Sequence, residues 1–163
     1  MPRFFRTVLL TGLFVGVADL IAAYVTYFIK NGGFASKMLQ YIAGGALGLE
    51  VSMKGGFWIG LLGLLFHFFI AFSFTLFFFI IFPKLKLQRY NKYLVGILYA
   101  IFVNRTMALV VLPLTKLPPN KAPLDWVNLL ITWAVLSLVL GIPIAISANR
   151  YYEKKRQKDL QNT

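Results

Sequence analysis

Apolar residues are grouped along the chain in four long runs, separated by short segments rich in Gly, Pro or basic residues. The runs extend over about 8–29, 57–82, 93–114 and 126–148. Each is long enough to cross a hydrocarbon layer of ~30 Å as a helix that rises ~1.5 Å per residue. We therefore predict an all-α membrane protein, a bundle of four transmembrane helices that forms a single domain over residues 1–163.

The second run indicates how such a helix packs, because its small residues share one face. Gly56, Gly60, Gly63, His67 and Ala71 recur at steps of three and four residues, and most other positions are Phe, Leu or Ile. Small residues allow another helix to approach closely, whereas bulky apolar side chains suit lipid. This pattern predicts a membrane helix with one docking face.

The first and fourth runs carry comparable faces of small residues. In the first run the face consists of Gly12, Gly16, Asp19, Ala23 and Thr26. In the fourth run it consists of Ala134, Ser137, Gly141, Ala145 and Ala148. We expect these faces to pack the bundle, and they offer a route to a homo-oligomer through a second copy of the chain.

The segment between the first two runs is apolar on one side but too short to span a membrane. Gly32 and Gly33 end the first helix, and Ser36 is placed to cap a short helix that runs to about Leu47. This helix lies either at the membrane interface or partway into the bundle as a re-entrant piece. The pattern leaves both arrangements open.

Prolines and one acid mark the ends of the later runs. Pro83 is expected to end the second run, and Pro113 to close the third. Asp125 is placed to cap the fourth, in which Pro143 predicts a kink. The polar tail, 149–163, is expected to fray into solvent.

Composition supports a membrane protein and excludes several other classes. The chain has 163 residues, of which 59% are hydrophobic and 13% charged, with a net charge of +12 and no Cys. Its mean hydropathy is +0.73. Because the basic residues lie at the ends of apolar runs, we reject nucleic acid as a partner and expect the lipid bilayer instead. Without Cys, disulfides and thiolate chemistry are excluded.

The basic residues also predict orientation. Four spans place both termini and the middle connection on one side, which then holds eleven Lys and Arg residues, against five on the other side. Loops rich in Lys and Arg stay in the cytoplasm. We therefore expect a multi-pass protein of the bacterial inner membrane with both termini cytoplasmic.

The candidate chemistry lies in a few polar residues inside the runs. Asp19, His67 and Arg105 are all predicted near the membrane midplane, where Asn104 adds further donors. An isolated charge there costs at least ~2.5 kcal/mol, so we expect these groups to meet in one polar cluster. One interpretation is a proton-responsive or substrate-binding site, and the other is a buried clasp that fixes helix register.

Three functions remain open on this pattern. The first is a non-enzymatic integral membrane protein of unassigned role, held together through its small-residue faces. The second is a small transporter or proton-responsive permease that uses the midplane cluster. The third, a membrane-embedded enzyme that modifies lipid, is disfavoured because the candidate acid–base groups lie far from lipid headgroups. The sequence predicts no cofactor and no metal site, and it identifies no small-molecule ligand.

Five short stretches carry a resemblance to a known family: GVADLIAAY, MLQYIAGGALG, GLLFHFFIAF, VVLPL and GIPIA. In this order and spacing the chain resembles the YagU-like bacterial inner-membrane proteins, small four-span proteins without assigned chemistry. The resemblance implies that Asp19, Gln40, His67 and Pro113 occupy motif positions, and it implies no reaction. The chain departs from the family pattern at Ala108, where relatives often have Asn, and at Leu136, where some have His.

Overall fold

Four helices that are long and apolar enough to cross a membrane make up most of the structure. This is a computed structural model that describes residues 2–32, 35–118 and 125–161, without the side chains of residues 2, 30 and 31. No strand occurs in those ranges. The predicted all-α fold with four membrane-spanning helices is confirmed.

The first half of the chain forms α1 (Pro2–Asn31), α2 (Ala35–Leu47), α3 (Leu49–Lys54) and α4 (Phe57–Lys84). After a 3-10 turn at Leu87–Arg89, the second half forms α5 (Lys92–Thr106), α6 (Trp126–Leu136) and α7 (Ile142–Gln161). The third span continues from α5 through a π turn, Met107–Val111, and a 3-10 turn, Leu112–Leu114. A second π turn, Ser137–Gly141, joins α6 to α7 within the fourth span.

The predicted helix caps had different outcomes. Asp125 caps α6 as expected, since its Oδ1 accepts hydrogen bonds from the amides of Val127 at 3.0 Å and Asn128 at 3.2 Å. Ser36 is not a cap, because α2 begins one residue earlier, at Ala35. Residue 33 of the predicted glycine break and most of the proline-rich turn, 119–124, lie outside the described residues.

Two predicted helix ends were wrong. Pro83 does not end the second span, because α4 includes it and stops at Lys84. The tail does not fray, because α7 stays helical to Gln161. Lys, Arg, Gln and Glu are good helix formers, and Tyr151 and Tyr152 pack this helix against the aromatic core.

The buried core lies toward one end of the bundle. We call this end of the bundle the basic end; it holds the start of α1, the connection 84–92 and the last turns of α7. Phe78, Phe79 and Phe82 are each at most 1% exposed there. The ring of Phe82 stacks on Tyr152 at 5.6 Å between centroids. At the opposite end, residues such as Ala43 and Ser52 are buried, but none of the residues of α6, all of them described, is buried.

Glycines bring α1 and α4 together. The ring of Phe72 lies directly against Gly12, and the ring of Phe68 lies against Gly16, where a Cβ would be 2.8 Å from the ring. A side chain at either glycine would displace the facing ring. The small-residue face predicted for the first run is thus used within the chain.

A second pair of glycines joins the third span to the fourth. A Cβ on Gly96 would lie 2.7 Å from the Cα of Ile142, and one on Gly141 would overlap the carbonyl oxygen of Gly96. The two backbones therefore touch at this crossing. Close approach of this kind is typical of membrane helices that pack without large side chains between them.

The short helix α2 lies along the part of α4 farthest from the basic end. A Cβ on Gly63 would overlap the carbonyl oxygen of Leu39, whereas one on Gly60 would lie 3.9 Å from the Leu39 Cβ. Gly56, at the start of α4, has nothing within 4 Å of a Cβ. The docking face predicted on the second run therefore receives α2 at Gly63, about 10 Å along the helix from its start.

Candidate functional site

The Asp19–His67 pair lies at the glycine contact between α1 and α4. His67 precedes Phe68, whose ring packs on Gly16, and Gly16 lies one turn before Asp19 on α1. The glycine contact therefore sets the spacing between the two helices at the level of the pair. Both polar side chains are half-buried.

The imidazole of His67 binds the backbone of the neighbouring helix. Its Nε2 lies 2.8 Å from the carbonyl oxygen of Gly16. A carbonyl oxygen can only accept, so Nε2 carries a hydrogen and donates it. The other ring nitrogen, Nδ1, takes no part in this hydrogen bond. The contact therefore links α1 to α4 through Nε2.

Asp19 supplies the acid of the pair. It is close enough to His67 for the carboxylate and the imidazole to interact electrostatically. A carboxylate and an imidazolium attract each other through space. Two ionisable side chains on neighbouring membrane spans thus influence each other.

Asn104 and Arg105 lie elsewhere, against α6. The indole Nε1 of Trp133 donates to Oδ1 of Asn104 at 2.9 Å. The guanidinium of Arg105 lies over the same indole ring, 5.0 Å from its centroid. Trp133 thus meets the polar groups of α5 by a hydrogen bond and by a cation–π contact.

The structure brings Asp19 together with His67, and Asn104 together with Arg105, but it does not join the two groups. His67 is the ionisable group that acts electrostatically on Asp19, whereas Arg105 contacts Trp133. The expected cluster of all four residues is corrected accordingly. The reason is the order of the helices, since α1 packs on α4 and α7, while α5 packs on α6 and α7.

Sequence reasoning missed Trp133 and gave Gln40 no structural role. Gln40 is 5% exposed, its Nε2 donates to the carbonyl of Gly55, and its Oε1 has no hydrogen-bond partner among the described residues. It fastens α2 to the turn that leads into α4. A polar residue on the apolar side of a short helix was the available signal for Gln40. For Trp133 the available signal was an indole, with its single N–H donor, inside the fourth apolar run.

Neither a group of metal ligands nor a similar known protein indicates a further role for these residues. In the ranges that the structure describes, no three His, Cys, Asp or Glu side chains are grouped so that they could hold a metal ion. No family model, curated protein or solved structure matches the chain.

Proposed function

We propose that this chain is a non-enzymatic integral membrane protein whose Asp19–His67 pair makes the contact between α1 and α4 responsive to protons. The observation that carries the proposal is the 2.8 Å hydrogen bond from His67 Nε2 to the carbonyl of Gly16, which lies one helical turn before Asp19 on α1. Ionisable side chains within a span are costly, and they commonly mark proton or ligand sites.

The pair responds to protons because charge changes while the hydrogen bond persists. With Nδ1 unprotonated, Asp19 faces a neutral ring; with Nδ1 protonated, the carboxylate and the imidazolium attract each other across the helix contact. Protonation therefore tightens the contact between α1 and α4, and deprotonation loosens it.

The proposed location is the bacterial inner membrane, with both termini in the cytoplasm. The excess of Lys and Arg at the basic end supports this orientation. The resemblance to YagU-like proteins agrees with this location. Because Gly12, Gly16, Gly63, Gly96 and Gly141 all contact parts of the same chain, the proposal does not include a homo-oligomer formed through them.

The proposal is tested on the imidazole itself, since the chain has one His and its nitrogen signals need no assignment. The protein, labelled with ¹⁵N-histidine in lipid bilayers, is followed by NMR between about pH 5 and 8, the range in which an ordinary imidazole titrates. We expect Nε2 to stay protonated while Nδ1 titrates. Asp19→Asn should change the pH range of that titration.

The matched control is Ser73→Ala. Ser73 lies on α4, faces away from α1 and donates to the carbonyl of Phe69 in its own helix at 2.7 Å. This variant should leave the titration unchanged. An imidazole that does not titrate, or one whose titration is identical in Asp19→Asn, would contradict the proposal.

A second candidate, a proton-coupled permease, is favoured by the position of two ionisable side chains, Asp19 and His67, inside membrane spans. It predicts proton flux into liposomes that contain the protein and an internal pH dye. Asp19→Asn should abolish the flux and Ser73→Ala should keep it. If the imidazole titrates but no flux occurs, the permease is excluded and the proton-responsive contact remains.

A further inference from the structure

A cavity of about 750 Å³ opens between α1 and α7 at the basic end. On α1 its wall is formed by residues 3, 6, 7, 10 and 11, and on α7 by residues 147, 150, 151, 154, 155, 158 and 159. Apart from 159, these steps of three and four residues place one face of each helix toward the cavity. The cavity is therefore a feature of how the two helices pair.

The charge on these walls is strongly positive. Six basic side chains line the cavity, and one carboxylate, Asp159, accompanies them. The basic residues are Arg3, Arg6, Arg150, Lys154, Lys155 and Lys158. Like charges held this close repel one another, so an anion between the helices would relieve the repulsion. Guanidinium groups and ammonium groups are the usual partners of phosphate oxygens.

The depth of the cavity distinguishes a lipid from a soluble anion. Leu10 and Thr11 lie inside the first span and Arg3 lies at its end, whereas Lys154 and Lys158 lie beyond the apolar run 126–148 of the last span. The cavity thus has a charged mouth at the level of headgroups and a less polar inner part at the level of acyl chains. A free phosphate would use the mouth alone, but a phospholipid fits both.

Aromatic packing holds the two walls at this separation. Tyr151, which lines the cavity, meets the ring of Phe4 edge to face with 5.7 Å between centroids. Phe4 in turn contacts Phe79 of the core at 6.1 Å. The basic faces of α1 and α7 are therefore presented by a packed part of the bundle.

From this combination we infer that the cavity binds the phosphate headgroup of an anionic phospholipid from the membrane leaflet at the basic end. Basic pockets between spans at a membrane face commonly hold anionic lipid headgroups. The inference does not rest on the Asp19–His67 pair, which lies deeper in the bundle on another helix contact.

The test is native mass spectrometry of the purified full chain, titrated with phosphatidylglycerol or with phosphatidylcholine of the same acyl chains. We expect phosphatidylglycerol to bind more tightly. The triple variant Arg6→Gln, Arg150→Gln and Lys154→Gln should weaken phosphatidylglycerol binding on the order of a hundredfold, from the loss of three basic side chains near a membrane surface.

The matched control removes the same charge from the same end, outside the cavity: Lys84→Gln, Lys86→Gln and Arg89→Gln. It should leave the preference for phosphatidylglycerol nearly unchanged. An equal loss of phosphatidylglycerol binding in both triple variants would show an effect of general surface charge and overturn the inference. No loss of binding in either variant would overturn it too.

Glycerol phosphate, the headgroup without acyl chains, is titrated in parallel. If glycerol phosphate displaces phosphatidylglycerol at the concentrations at which the lipid itself binds, the cavity binds a soluble anion and the lipid assignment is overturned.

Discussion

Glycine positions one turn apart on α4 have different roles at the scale of single residues. Gly63 lies against the backbone carbonyl of Leu39, which cannot move without shifting α2. At Gly60 a Cβ would be in ordinary van der Waals contact with Leu39, at 3.9 Å. Glycine is therefore required at position 63, whereas position 60 has room for a Cβ.

The first prediction compares Gly63→Ala with Gly60→Ala. Gly63→Ala should destabilise the protein by about 1–3 kcal/mol, the usual cost of overpacking. Gly60→Ala should be neutral or stabilising, by up to about 1 kcal/mol, because Ala favours helix over Gly. Reversible unfolding in detergent, monitored by circular dichroism, measures both. Equal stability of the two variants would show that α2 does not dock on Gly63.

The sequence identified the residues of the polar pair but not their separation from Arg105. Charge and helix period can be read from the chain, and these placed Asp19, His67 and Arg105 at one depth. Depth does not give the direction in which a side chain points around the bundle. That direction depends on which helices are neighbours, and several arrangements of four spans are compatible with the same apolar runs. The contact of Arg105 with Trp133 follows from that arrangement.

At the scale of elements, two prolines change helix geometry in the same way. Both π turns end two residues before a proline, at Val111 before Pro113 and at Gly141 before Pro143. In each, the residue just before the proline donates its amide to the carbonyl five residues earlier. A proline has no amide hydrogen and crowds the preceding turn, so a wider turn accommodates it. The kink predicted at Pro143 takes this form, which composition alone does not specify.

A backbone hydrogen bond fastens α2 to the segment that follows the third span. The amide of Lys116 donates to the carbonyl of Gly45 at 2.8 Å, and Thr115 packs beside the same glycine. Because α2 is too short to span the membrane, such contacts determine whether it stays along α4.

The second prediction removes that hydrogen bond. Lys116→Pro deletes the amide hydrogen and should cost about 0.5–1.5 kcal/mol, with faster amide exchange in the last turn of α2. Lys116→Ala keeps the amide and should behave like the natural protein, since the Lys116 side chain is exposed. Hydrogen–deuterium exchange by mass spectrometry distinguishes them. If both variants exchange alike, the amide does not hold α2 in place.

At the scale of the whole molecule, the two ends of the bundle differ in charge. Eleven basic residues gather at the basic end, and the cavity between α1 and α7 is part of that end. This distribution could be read from the sequence because it depends only on the number of spans. The cavity could not, because it requires knowing that α1 and α7 are neighbours and which faces they turn toward each other.

The third prediction concerns orientation, and the absence of native Cys makes it simple to test. Single substitutions Gln88→Cys, Gln157→Cys and Lys116→Cys lie at exposed positions on the two ends of the bundle. In intact spheroplasts, a maleimide that cannot cross membranes should label the Cys at 116 at once. The Cys at 88 and at 157 should react only after permeabilisation. Labelling of the Cys at 88 or at 157 in intact spheroplasts would show the opposite orientation.

The uneven distribution of aromatic packing has a mechanical consequence. Rings from α4, α5 and α7 clamp the spans together where Phe78, Phe79 and Phe82 lie, while α6 at the far end is held by few side chains. Local opening is easiest where few side chains are buried, so we expect the backbone amides of α6 to exchange with solvent deuterium before those around Phe78, Phe79 and Phe82.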